Sequence, residues 1–118
     1  MRNEGPAPVS GLRHGRLRPG RSSPARGEVV FGLVDADGLE VRQVLSGELD
    51  EPVDYLQQED EWALVVSGSA CLQVGGDTLD LGPGDWAWLP AGVPHRLLST
   101  RPGTSWVTVH HGPEGRRQ

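Results

Sequence analysis

The chain contains no lysine, a single cysteine, and only one phenylalanine and one tyrosine among its 118 residues. The lone Cys71 excludes a disulfide framework and a paired-cysteine metal knuckle, and is expected to be a small core residue. No run of residues approaches the roughly 18 apolar residues of a membrane-spanning helix. The N-terminal arginines are not followed by the apolar segment of a secretory signal. These absences predict a cytoplasmic protein that has no membrane partner.

Positive charge is scarce outside the N-terminal segment. Residues 1–26 contain six arginines and one acid, whereas residues 27–113 contain three arginines and fourteen acids. Binding to a phosphate backbone needs a clustered basic face, which an acidic body does not offer. The basic segment in turn has no aromatic side chain that could stack on bases. We therefore predict no nucleic-acid partner.

Glycine and proline are abundant, with 17 and 10 residues. Residues 1–26 show no apolar periodicity and are predicted to form a flexible basic arm, and residues 113–118 a C-terminal tail. Between them, residues 27–112 alternate short runs rich in Val, Leu and Trp with turn signals, such as the hairpin turn Gly75–Gly76. No stretch of twelve residues without glycine or proline has the pattern of an amphipathic helix. This pattern predicts one all-β domain, a sandwich or small barrel.

One segment has a specific motif. Gly84, Pro90, Gly92 and His95 stand at the spacing of the second sequence motif of the cupin superfamily, which this segment resembles. The motif ends in Asn, where this chain has Ser99. The resemblance implies a single cupin-type antiparallel β-barrel, also described as a double-stranded β-helix or jelly roll. It extends to short bacterial cupins that carry mannose-6-phosphate isomerase-like labels.

The first cupin motif is only partly present. Glu61 and Gly68 match its end, but Tyr55 and Gln57 stand where the family has its His-x-His pair. The resemblance implies a site for one divalent transition metal (Fe, Mn, Ni or Zn) at Glu61 and His95. Gln57 would be a weak neutral ligand, and Tyr55 would bind only as a phenolate, far below its usual pKa of ~10.

The last strand offers another metal ligand. Because side chains alternate along a strand, either His110 or His111 should face the barrel interior. If His110 does, then His95, His110 and Glu61 could form the two-imidazole, one-carboxylate set that binds non-haem iron.

Interpretations without metal are also open. Glu61 and His95 could act as a catalytic general acid and base, since each would change the pKa of the other. Alternatively, Glu61 could form a structural ion pair with Arg42 or Arg96, and His95 could hydrogen-bond within the barrel.

The four tryptophans allow two interpretations. Trp86, Trp88 and Trp106 are predicted to line the cavity with Tyr55 and Gln57, because indole rings near a barrel mouth can stack on a ligand. The alternative, which we favour, is that the indoles belong to the core or to a subunit interface.

Two classes of function remain. We favour a barrel that binds a small-molecule ligand beside a degenerate or partial metal site, because the His-x-His pair is lost. The alternative is a metal-dependent enzyme, sugar-phosphate isomerase-like or dioxygenase-like, that uses Glu61 and His95 with Gln57 or His110. Pairing of exposed edge strands across a two-fold axis predicts a homodimer.

Overall fold

The computed structural model describes residues 5–6 and 10–112 of the chain. The predicted C-terminal tail and residues 1–4 and 7–9 of the predicted arm lie outside the described residues. The described residues form one short 3₁₀ turn, Gly20–Ser22, and nine strands. These are β1 (Glu28–Ala36), β2 (Leu39–Ser46), β3 (Val53–Tyr55), β4 (Asp60–Ser67), β5 (Ala70–Val74), β6 (Asp77–Leu81), β7 (Trp86–Leu89), β8 (His95–Thr100) and β9 (Thr104–His111). The predicted all-β class is confirmed.

The strands form two antiparallel sheets that enclose one core. The larger sheet has the order β1-β2-β9-β4-β7 and the smaller β3-β8-β5-β6. Strands distant in sequence, such as β2 and β9 or β5 and β8, are neighbours, as expected for the predicted jelly roll. Alternation along the strands directs Val65 and Trp106 of the larger sheet, and Leu72 and Leu97 of the smaller sheet, into a shared apolar cluster.

Local turn chemistry sets the register of the hairpins. Asp37 and Gly38 both have positive φ, 52° and 82°, as a two-residue turn between β1 and β2 requires. The predicted Gly75–Gly76 turn lies between β5 and β6, where Val74 pairs with Asp77.

One end of the barrel, which we call the closed end, is packed with small polar residues. β4 and β8 finish there and β9 begins there, so Ser69 and Thr104 are brought together. The Thr104 hydroxyl oxygen accepts from the Ser69 N–H at 3.1 Å and lies 2.6 Å from the Arg101 carbonyl oxygen, to which it donates. Gly68, at φ +81°, packs directly against Thr104.

Part of the predicted arm lies on the outer face of the larger sheet. The Arg18 backbone N–H donates to Gln43 Oε1, and Gln43 Nε2 donates back to the Arg18 carbonyl oxygen, both at 2.9 Å. The Arg18 guanidinium lies 3.7 Å from the centroid of the Phe31 ring. The flexibility of the arm stays a prediction. No helix among the described residues is long and apolar enough to cross a membrane.

Candidate functional site

A cavity of about 140 Å³ lies between the two sheets. It reaches the barrel end opposite the closed end, where β4 and β8 begin and β9 finishes, and we call this the cavity end. Seven of the lining residues are apolar: Val30, Val44, Ala63, Leu72, Leu89, Leu97 and Trp106. The other eight are polar or charged: Glu28, Arg42, Tyr55, Gln57, Glu61, His95, Thr108 and His110. The cavity therefore combines apolar walls with a concentrated set of hydrogen-bonding groups.

Pairing of β4 with β9 places Glu61 and His110 side by side. They are direct cross-strand partners, and both side chains are buried. His110 lines the cavity, whereas the next residue, His111, is exposed on the other face of β9. The Gln57 side-chain amide donates to Glu61 Oε1 at 2.9 Å, which gives the buried carboxylate a neutral partner.

The two arginines considered as partners of Glu61 pair with other carboxylates. Arg42 Nη2 lies 2.6 Å from Glu40 Oε1, and Arg96 Nε lies 2.6 Å from Asp54 Oδ1. The hydrogen bond from Arg42 lowers the pKa of Glu40, and the hydrogen bond to Glu40 raises the pKa of Arg42. Glu61 therefore does not depend on an arginine for its position.

His95 and Tyr55 form a second cross-strand pair, between β8 and β3. Their rings stack with centroids 5.2 Å apart and planes inclined by 14°. His95 is 7% exposed, and its Nδ1 is buried without a hydrogen-bond partner among the described residues. A buried polar atom without a partner is costly, so this nitrogen is the most informative atom of the cavity.

The electrostatic surroundings of Tyr55 keep its phenol protonated. Burial, followed by the nearby Glu28 carboxylate, raises the pKa of Tyr55 to about 12. The hydroxyl lies 3.4 Å from Glu28 Oε1. A phenol with this pKa is neutral at physiological pH, and the phenolate that a metal would need is disfavoured.

His110 lies between two neighbours. Its Nδ1 is 3.0 Å from Glu59 Oε1 but, like His95 Nδ1, makes no hydrogen bond among the described residues, whereas its Nε2 lies 3.1 Å from Thr108 Oγ1. Thr108 and Glu28 line the cavity but were not among the residues predicted from the sequence. Strand alternation could have indicated Thr108, because it lies two positions before His110 on the same face of β9.

The donor set does not fit a metal ion. Among the residues that the structure describes, no three His, Cys, Asp or Glu side chains are grouped closely enough to hold one. The Gln57 amide is engaged by Glu61, and the Tyr55 phenol is protonated. Glu61, His95 and His110 all line the cavity, but they do not make up the predicted three-ligand set.

The tryptophans divide between the two faces of the larger sheet. Trp106 lines the cavity, and its indole N–H donates to Ser46 Oγ at 3.2 Å. Trp86 and Trp88 are 60% and 53% exposed and do not line the cavity, contrary to the prediction. The reason is the phase of β7, whose inward positions are occupied by Ala87 and Leu89.

Comparison with solved structures supports the architecture. A candidate mannose-6-phosphate isomerase from Ralstonia eutropha JMP134 is 33% identical, with a TM-score of 0.75, and covers 86% of this chain and 99% of its own. A cupin superfamily protein from Desulfitobacterium hafniense DCB-2 is 18% identical, with a TM-score of 0.68, over 90% of this chain and 99% of its own. KdgF from a Halomonas species is 17% identical, with a TM-score of 0.61, over 75% of this chain and 82% of its own.

Comparison with family models and curated sequences gives two further results. No curated protein is similar enough in sequence to count as a match. The family model described as Cupin domain matches residues 40–110, which include all of the cavity-lining residues except Glu28 and Val30. From the fold, the motif that includes His95 and this match, the chain belongs to the cupin family.

Proposed function

We propose that this cupin binds a small molecule directly through the side chains of its cavity, beside a degenerate metal site formed by Glu61 and His95. The observation that carries the proposal is the buried His95 Nδ1: it belongs to a residue that lines the cavity, and it has no hydrogen-bond partner among the described residues. Leaving such an atom unpaired costs about 1–3 kcal/mol, and a ligand that pairs with it recovers this energy. A nitrogen kept in this state indicates a place where a ligand binds.

The size of the cavity supports a ligand of few atoms. Its volume of about 140 Å³ is below the roughly 300–1,000 Å³ of pockets that hold drug-sized molecules. The apolar walls, which include Leu72, Leu89 and Trp106, provide contact area for an apolar part of the ligand. Glu61 and His95 then orient its polar part.

The state of Tyr55 and Gln57 supports binding without a metal. Each stands at a position where the family has a histidine ligand, and neither supplies an anionic or imidazole donor. Glu61 and His95 are left as a partial set, since transition-metal sites need three or four converging ligands.

Elemental analysis of the purified protein tests this proposal. We expect well under one equivalent of Fe, Mn, Ni or Zn per chain when the protein is prepared without chelator, and no retention after dialysis against these metals. Under the same conditions, small polar molecules should change the fluorescence of Trp106, which lines the cavity. One tightly held metal per chain, lost in both Glu61→Gln and His95→Ala, would overturn the proposal in favour of the metal-dependent enzyme.

An alkaline titration of the single tyrosine measures directly whether the pKa of the Tyr55 phenol is raised. Because the pKa is raised to about 12 in the fold and is ~10 when unfolded, the stability contribution is complete below pH 10 and is lost as the pH rises through 12. We expect the phenolate absorbance to appear near pH 12 and to shift towards 10 in Glu28→Gln, with Tyr55→Phe as a blank. A midpoint near or below 8 would instead make Tyr55 a usable metal ligand.

The homodimer remains a prediction, for which Trp86 and Trp88 on the edge strand β7 provide exposed apolar surface. The cytoplasmic location likewise remains a prediction.

A further inference from the structure

Carboxylates outnumber positive groups around the cavity. Glu28 and Glu61 line it, and two more carboxylates lie behind the lining: Glu40 beside Arg42, and Glu59 beside His110. Against these four, the lining offers one guanidinium, that of Arg42, and two imidazoles. Even with both imidazoles protonated, the negative charges outnumber the positive ones, and with both neutral the excess is three.

The single guanidinium is not available to balance an anionic ligand. Arg42 is hydrogen-bonded to Glu40, and the charges of Glu59 and Glu61 also raise the pKa of Arg42. Three carboxylates therefore already act on this cation. A phosphate or carboxylate entering the cavity would meet the negative charge of Glu61, and the one guanidinium of the lining is already shared among three carboxylates.

From this charge distribution we propose that the cavity selects a small organic cation, a primary ammonium on a short apolar body, over a phosphorylated or carboxylated ligand. The inference rests on the proposed function, because it concerns the class of molecule that the same cavity takes. It differs from the sugar phosphate that the description of the Ralstonia eutropha structure implies for that protein.

The hydrogen-bonding groups of the cavity match an ammonium. An alkylammonium has three N–H donors and no acceptor. Glu61 is a buried carboxylate whose only described partner is the neutral Gln57 amide. His95 Nδ1 offers a lone pair when the ring proton is on Nε2, and it has no partner among the described residues. Glu61 and His95 both line the cavity, so the proposed ammonium would find two acceptor residues there.

The apolar part of the ligand has its own contacts. Leu72, Leu89, Leu97 and Trp106 line the cavity and form part of the apolar core. Tyr55 stacks on His95 and adds an aromatic face, which attracts a cation through the ring quadrupole. A chain of about four carbons fits a cavity of this volume, since a water molecule takes ~30 Å³ in the liquid.

A set of three probes of equal length tests the charge preference. Butylammonium, butanol and butyrate differ in charge but hardly in size, and we would titrate each into the full chain at neutral pH with EDTA present. The readout is the indole N–H resonance of Trp106, while Trp86 and Trp88, exposed on the outer face, serve as internal references. We expect butylammonium to bind at least about fivefold more tightly than butanol, and butyrate more weakly than either.

Two matched substitutions test whether the preference for butylammonium over butanol arises in the cavity. Glu61→Gln removes the buried charge and keeps the shape, so the advantage of butylammonium over butanol should fall to within about twofold. Glu51→Gln removes an exposed carboxylate that does not line the cavity and makes the same change in net charge. We expect the preference to be unchanged in this control.

The outcomes separate this inference from the proposed function. If butyrate binds as tightly as butylammonium, or if both variants lose the preference equally, the inference is wrong while small-molecule binding stands. If none of the three probes shifts the Trp106 resonance at concentrations up to roughly 100 mM, a level at which even very weak ligands bind, the proposed function itself is overturned.

Discussion

The two ends of the barrel differ in whether a buried polar side chain has its hydrogen-bond partners. At the closed end, the Thr104 hydroxyl accepts from the Ser69 N–H and donates to a backbone carbonyl. At the cavity end, His95 is buried to a similar degree, but its Nδ1 has no partner among the described residues and its ring is stacked on Tyr55. Buried polar atoms with partners stabilise the fold, whereas one without a partner costs stability. The comparison therefore separates structural polar residues from candidate binding residues.

The largest effect is expected from a change in packing at the closed end. Gly68 has φ +81°, and a Cβ there would lie within 2.5–2.8 Å of the Cα and Cβ atoms of Thr104. Gly68→Ala should therefore lower the free energy of unfolding by about 3 kcal/mol or more, because both backbone strain and overlap must be relieved. Urea denaturation followed by tryptophan fluorescence measures this loss.

Gly76→Ala is the matched control for this substitution. No atom lies within 4 Å of a Cβ built at Gly76, which is exposed in the turn between β5 and β6. Its free energy of unfolding should change by less than about 1 kcal/mol. Equal losses in both variants would show that the closed end is no more tightly packed than a surface turn.

The strands that build both ends could be predicted from local sequence. Turn residues recur at short intervals, and the apolar runs between them predicted one all-β domain, which the nine observed strands confirm. The place of His95 at the start of β8 could be predicted from the sequence, because Pro90 and Gly92 fix the turn that precedes this strand. These features depend on neighbours in the chain, and local pattern is sufficient for them.

The contacts that complete the cavity could not be predicted in this way. The residues that line the cavity come from strands spread between Glu28 and His110. Only the folded structure shows that Gln57, not an arginine, is hydrogen-bonded to Glu61. Trp86 and Trp88 lie on one face of β7, but the sequence did not show that this is the outer face, because only the fold shows that Ala87 and Leu89 point into the core. The pairing of Arg18 with Gln43 likewise joins segments 25 residues apart with no sequence signal.

A smaller effect is expected from removing a satisfied hydroxyl at the closed end. Thr104 is fully buried, and its Oγ1 serves the Ser69 N–H and the Arg101 carbonyl oxygen. Thr104→Val keeps the shape but leaves the buried Ser69 N–H without its partner, while the Arg101 carbonyl oxygen still accepts from the Thr104 backbone N–H. This loss should cost about 2 kcal/mol in urea denaturation. Thr78→Val, at an exposed position of β6, should change stability by no more than about 0.5 kcal/mol. If Thr104→Val lost no more unfolding free energy than Thr78→Val, the hydroxyl of Thr104 would not stabilise the closed end.

The smallest effect is expected at His95, although this side chain is also more than nine-tenths buried. His95→Phe retains an aromatic ring to stack on Tyr55 and removes a polar atom that has no partner. The adjoining cavity provides space for the slightly larger ring. We therefore expect the free energy of unfolding to change by less than about 1 kcal/mol, in either direction.

The same variant should lose ligand binding, and this combination gives the comparison its sharpest test. In His95→Phe, the Trp106 resonance should no longer respond to butylammonium, because one of the two acceptors is gone and the cavity is partly filled. His111→Phe, on the exposed face of β9, should retain the response. A loss of stability at His95 as large as that at Thr104 would mean that the imidazole has a structural partner after all. A stable His95→Phe variant that still binds would place the ligand elsewhere, since an acceptor in contact with the ligand cannot be removed without weakening binding.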